Sequence, residues 1–127
     1  MTTALEMKPE EWRRFNPSKN FKAQRARKEY LTDRREKALK VAKEAATLLR
    51  EKFGAQKIVF FGSLTNEDAF SAWSDIDLAA WGIPPDKFFS AVAAITGLSL
   101  LFKIDLVEPD NCREAIKEAI YREGVEI

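Results

Sequence analysis

Between residues 21 and 53 the chain has neither glycine nor proline, and Leu31, Ala38, Ala42, Ala45, Leu49 and Phe53 recur at steps of three, four and seven. Such spacing lines up one face of an α-helix. Val41 and Leu48 widen the stripe, so the C-terminal half of this helix is expected to pack on a core. Ala, Leu, Lys, Arg and Glu dominate the segment, which reads as one long helix or two with a bend, ended by Gly54. Ahead of it, residues 9–15 suit a short helix, and residues 16–20, with Pro17 as a breaker, suit a turn.

Beyond Gly54 the period changes. Residues 58–61 form a short β-branched and aromatic run, the signature of a buried strand. Residues 64–70 read as a helical turn followed by a loop. In residues 75–81 Ile76 and Leu78 alternate with Asp75 and Asp77, a second strand that Gly82 stops. Pro84 and Pro85 open a helix whose apolar face would be Phe88, Phe89, Val92, Ala93 and Ile95, with Gly97 ending it. Residues 101–107 make a third strand, with Lys103, Asp105 and Val107 on one side and Phe102, Ile104 and Leu106 on the other. After Pro109, Asn111 and Glu114 are spaced as a capping pair for a last helix over 112–123. That helix would bury Ala115, Ile116, Ala119 and Ile120, and Gly124 would stop it before an extended tail at 125–127. The expected fold is α+β: a small mixed sheet of three to four strands covered by helices, with a long N-terminal helix. Residues 1–53 are expected to form a basic helical extension packing on a core domain of residues 54–127.

Charge sharpens that division. Residues 1–53 carry 15 Lys/Arg against 8 Asp/Glu, and residues 54–127 carry 6 against 12, within a net charge of +1. The bland reading of the basic half is a solvated helix face. Acidic residues interrupt it and no aromatic platform accompanies it, so docking on a partner protein is favoured over direct nucleic-acid binding. The chain has no histidine, which removes imidazole base chemistry, Ser-His-Asp and Cys-His sites, and histidine metal centres. Its single cysteine, Cys112, can form no internal disulfide and reads as a small apolar residue. With no membrane-length apolar run and no signal-peptide core, a cytoplasmic protein is expected.

The candidate chemistry is carboxylate chemistry. Asp75 and Asp77 lie two residues apart, on one face of a strand. An Asp-x-Asp alone is more often a surface feature than a site. Asp105, on another apolar strand, changes that balance, because aspartate is disfavoured in strands and three of them call for a compensating role. Oxygen-only ligands suit hard cations such as Mg²⁺ or Mn²⁺. Gly62 and Ser63, at the end of the first strand, could let backbone approach a phosphate closely.

Gly62-Ser63, then Ser74-Asp75-Ile76-Asp77-Leu78, and later Ile104-Asp105-Leu106 resemble the nucleotidyltransferase superfamily of DNA polymerase β. More narrowly, the chain resembles the minimal nucleotidyltransferase (MNT) proteins, encoded beside HEPN-domain partners as toxin–antitoxin pairs. The resemblance covers residues 58–127, including the closing Ala-Ile-Tyr-Arg-Glu-Gly-Val-Glu-Ile. It implies a palm-like nucleotidyltransferase core using two Mg²⁺ ions and ATP. Asp75 and Asp77 would bind metal and, through it, the nucleotide. Asp105 would ligate the catalytic metal and help deprotonate the acceptor hydroxyl, while Gly62 and Ser63 would hold the triphosphate. It further implies transfer of AMP to a hydroxyl, a tyrosine of a partner HEPN toxin, in a hetero-oligomer that silences the toxin. One departure stands out: where many relatives continue after Gly-Ser with a small residue and Arg-Gly, this chain has Leu64-Thr65-Asn66-Glu67. A non-catalytic antitoxin acting by binding alone is the alternative. A small-molecule transferase is a third reading, for which the chain looks too short to add a substrate domain.

Overall fold

A single helix, α1 (Pro17–Phe53), runs for 37 residues before the first strand begins. The structure, a computed structural model, is described for residues 17–127, with side chains from Phe21 onward. The short helix expected over residues 9–15 lies outside the described residues. Pro17 does not break the chain but opens α1, where its missing N–H and fixed φ are tolerated. The expected turn therefore gives way to helix from that point. Gly54 ends α1 in the left-handed region, with φ at 75°. The Ala55 N–H then reaches back to the Leu49 carbonyl at 3.1 Å.

The remaining order is β1 (Lys57–Phe61), a 3₁₀ turn (Gly62–Thr65), β2 (Ile76–Trp81), α2 (Phe88–Thr96), β3 (Ile104–Val107), α3 (Glu114–Glu123) and β4 (Val125–Glu126). A 3₁₀ turn at Pro85–Lys87 leads into α2, and another at Pro109–Asn111 precedes α3. The four strands form one mixed sheet in the order β3-β2-β1-β4. β2 lies antiparallel to β1 and parallel to β3, and the tail, expected to be merely extended, pairs antiparallel with β1 as β4. By contact the chain divides into two units, with the boundary between Tyr30 and Leu31. In the first, side chains 21–30 are exposed.

Within the second unit the alternation of the strands sorts the core onto two faces of the sheet. Ile58, Phe60, Ile76, Leu78, Ile104 and Leu106 meet Ala38, Ala42, Ala45, Ala46 and Leu49 of α1, and Ala91 and Ile95 of α2. The small alanines of α1 let its backbone come close to the sheet. On the other face Val59, Phe61 and Ala79 meet Ile120 of α3. Among the described residues, no helix is long and apolar enough to cross a membrane.

Several boundaries and faces differ from expectation. The buried face of α2 is Ala91 and Ile95, flanked by Phe88 and Val92, a cleaner i, i+3, i+4, i+7 stripe that leaves Phe89 exposed and Ala93 outside it. β3 starts at Ile104, and Leu100 and Leu101 are exposed before it. α3 starts at Glu114 with no side-chain cap, because the Asn111 amide instead donates to Glu108 at 3.0 Å within the preceding 3₁₀ turn. Cys112 consequently sits outside the helix, its Sγ 3.4 Å from the Pro109 carbonyl, and Ala115 is exposed.

Candidate active site

The parallel pairing of β2 with β3 sets Asp77 directly opposite Asp105, and the antiparallel pairing of β1 with β2 sets Phe61 opposite Asp77. The C-terminal end of β1 and the N-terminal ends of β2 and β3 therefore meet at one edge of the sheet. Gly62 follows Phe61 there, and Asp75 precedes the first residue of β2, one position outside the expected strand. The Ile76 N–H donates to the Lys103 carbonyl at 2.9 Å, tying the entry of β2 to the entry of β3. Of the five residues expected at a site, Gly62, Asp75, Asp77 and Asp105 lie along this rim, with Ser63 in the adjoining turn.

Asp77 and Asp105 alternate with residues of the α1–α2 core, so both project onto the sheet face that α3 covers farther along. Asp77 is half-buried in a basin that a glycine creates. A Cβ at position 62 would stand 2.6 Å from Asp77 Oδ2, and Gly62 has φ at 74°. Two independent constraints thus require glycine there. Burial raises the Asp77 carboxyl to about 6, helped by the charges of Asp105 and Asp75 and opposed only by Lys103. The Lys103 Nζ lies 3.7 Å from Asp105 Oδ1, in a pair that is largely exposed.

Uncompensated acidic charge at a half-buried position is the electrostatic condition a divalent cation relieves. The donor set, three carboxylates and no sulfur or imidazole, fits a hard cation. Among the described residues, no group of three or more acidic or cysteine side chains is arranged closely enough to hold a metal ion.

Two parts of the rim were not legible in the sequence. The Gly62 N–H donates to Glu123 Oε1 at 3.2 Å, across 61 residues, so the last residue of α3 fixes the glycine. Arg35 of α1 donates from both Nε and Nη2 to the Leu64 carbonyl, at 3.1 and 2.8 Å. The turn closes on itself through Thr65 Oγ1 to the Gly62 carbonyl at 2.7 Å and the Asn66 N–H to the Ser63 carbonyl at 3.2 Å. Arg34 and Arg35, expected in a wet basic face, are instead both engaged with the sheet domain. No spacing rule marks the contacts of Glu123, Arg34 and Arg35, because each joins residues far apart in the chain.

Two surface clefts of ≈ 500 and ≈ 490 Å³ lie elsewhere, the first along α3 and the second between Phe88, Val107 and Ile116. Neither of these two clefts is lined by Asp75, Asp77 or Asp105.

The long helix, the mixed four-stranded sheet and the helices on both of its faces make this an α+β protein, consistent with a nucleotidyltransferase fold. The particular likeness is to MntA of the MntA–HepT toxin–antitoxin pair. A crystal structure of that pair carrying a double aspartate-to-glutamate substitution matches with a TM-score of 0.53 at 18% identity, over 67% of this chain and 70% of the other. A toxin–antitoxin structure with AMP-PNP matches with a TM-score of 0.51 at 21% identity, over 64% of this chain and 67% of the other. A scan against family models finds no match, and no curated protein matches at a significant level.

Proposed function

We propose that this protein is a metal-dependent nucleotidyltransferase that transfers AMP from ATP to a hydroxyl of a partner HEPN toxin, and so acts as an antitoxin. The observation that carries the reading is the register that sets Asp77 against Asp105 at the sheet edge where β1 ends in Gly62-Ser63. The likeness in fold to a toxin–antitoxin protein, and to one studied with an ATP analogue, supports it. In this reading residues 54–127 are the minimal nucleotidyltransferase domain, and residues 1–53 are an extension whose C-terminal half completes the core.

Asp75, Asp77 and Asp105 would hold Mg²⁺, with Mn²⁺ a possible substitute. When bound, the metal neutralises the triphosphate and polarises the attacking and leaving oxygens. The chain's own residues do the rest. Gly62 and Ser63 admit the triphosphate close to backbone. Asp105, half-exposed at the rim, would receive the proton of the acceptor hydroxyl. The acceptor oxygen then bonds to the α-phosphorus, the bond from that phosphorus to the bridging oxygen breaks, and pyrophosphate leaves. Positioning and charge neutralisation suffice for this chemistry, so a histidine-free chain can perform it. In this reading the acceptor is a tyrosine presented by the partner.

The deciding experiment incubates the protein and the HEPN protein encoded beside it with α-labelled ATP and Mg²⁺. Label on the partner, lost in an Asp75→Asn, Asp77→Asn double variant, is the expected result. Tight complex formation without label transfer would favour neutralisation by binding alone.

A further inference from the structure

On the face opposite the carboxylates, two consecutive arginines of α1 grip the two loops that deliver the two halves of the site. Arg35 places Nε and Nη2 on the Leu64 carbonyl at 3.1 and 2.8 Å, in the turn that begins Gly62-Ser63. Arg34 reaches the loop before β3 instead. Its guanidinium carbon lies 4.4 Å from the centre of the Phe102 ring, and its Nη2 lies 3.4 Å from the Leu101 carbonyl. Thr32 adds a tie to the first loop, its Oγ1 3.2 Å from Glu67 Oε1. A single turn of α1 thus spans from the phosphate-side loop to the entry of the strand that carries Asp105.

We infer that Arg34 and Arg35 form a positioning clamp that sets the distance between the Gly62–Thr65 turn and Asp105, and that nucleotide binding depends on it. The inference rests on the nucleotidyltransferase reading. Several features make the clamp more than surface decoration. The turn residues Gly62 to Glu67 contain no basic side chain of their own, so the cation that steadies them must come from elsewhere. A carbonyl receiving two N–H groups of one planar guanidinium is fixed in direction as well as in place, which a lysine cannot reproduce. Leu64, whose carbonyl is held, is fully buried, and so is Phe102, under Arg34, to within 5% of its surface. Arg34 Nε is buried, and its guanidinium lies over the Phe102 ring. α1 itself cannot yield, because Ala38, Ala42, Ala45 and Leu49 anchor it in the core. Arg35 meets the turn only at the Leu64 carbonyl, and Arg34 meets the loop before β3 at Leu101 and Phe102. Both act through the loops they hold.

The test uses the full chain, with Arg35→Ala, Arg35→Lys and Arg34→Ala variants and Lys37→Ala, an exposed residue of α1, as control. Hydrogen exchange of amides 62–66 is read in the metal-free protein. It should accelerate about tenfold or more in Arg35→Ala while amides 58–60 of β1 are unchanged, a local opening rather than global unfolding. Titration with Mg–ATP should show weakening of about tenfold, with KM in label transfer rising more than kcat falls. Arg35→Lys should restore part of both effects, and it serves as the test variant where the alanine variant does not fold. Exchange at 62–66 that is unchanged, or that rises equally throughout the sheet, would overturn the clamp. A wild-type protein that binds no Mg–ATP would instead overturn the functional reading, and local acceleration at 62–66 would then still uphold the positioning of the turn.

Discussion

Asp77 Oδ2 occupies the space where a Cβ at position 62 would be, 2.6 Å from that point. The glycine and the aspartate are therefore a matched pair: the absence of one side chain is what admits the other. Gly62→Ala should displace the Asp77 carboxylate and strain a backbone held at φ 74°. The backbone strain alone is on the order of 1–3 kcal/mol. Thermal denaturation should register the destabilisation, and label transfer should fall by more than the loss of folded protein explains. An alanine variant with wild-type stability and turnover would contradict this pairing.

The Asp77 carboxyl, raised to about 6 from an ordinary 3.8 mainly by burial and then by Asp105 and Asp75, makes metal-free stability depend on pH. A raised carboxyl binds more protons in the folded state than in the unfolded state, so its stabilising contribution is present near pH 4. That contribution is lost as pH rises through about 6. In the metal-free protein Asp77→Asn removes the charge that burial opposes. At pH 8 it should therefore stabilise by about 1 kcal/mol after allowance for solvent screening. Denaturant melts at pH 8, at pH 5 and below the ordinary value of 3.8 check this: the gain should be full at pH 8, about half as large at pH 5, and nearly absent at the lowest pH.

Cation binding should reverse that penalty. Saturating Mg²⁺ or Mn²⁺ should raise Tm at pH 8, by the equivalent of about 2.7 kcal/mol at a hundred times Kd. Below pH 6 protons compete for Asp77 and the shift should shrink. The Asp75→Asn, Asp77→Asn variant should show none, and a full Tm response in that variant would remove these residues from the cation site.

Ala42 and Ala45 are fully buried where α1 meets the sheet. Ala42→Leu overfills that contact and should cost about 1–3 kcal/mol. The same extension at exposed Lys43 should change stability by less than about 0.5 kcal/mol. Paired urea titrations distinguish the two, and equal effects would argue against close packing of α1.

By itself the sequence determined most of the elements and which carboxylates are candidates for a site. Periodicity in α1 survives translation into burial almost residue by residue because helix faces are set locally, at 3.6 residues per turn. Alternation in β2 and β3 likewise placed Asp77 and Asp105 on the sheet face away from Ile76, Leu78, Ile104 and Leu106. Absence of histidine restricted the chemistry before any fold was known. Local signals misjudged ends and caps: Pro17 opens a helix, Asn111 bonds to Glu108, and Phe89 is left in solvent. At such positions several local arrangements have nearly equal energy, and distant packing selects one.

Only the tertiary structure decided which strand edges meet. That Asp77 faces Asp105, that Glu123 holds the Gly62 N–H, and that Arg34 and Arg35 leave the basic face to grip two loops are all relations across long stretches of chain. Their energies depend on register and on the docking of α1, and no local window of sequence contains both partners. The residue types at the rim are a property of the chain; their distances are a property of the fold.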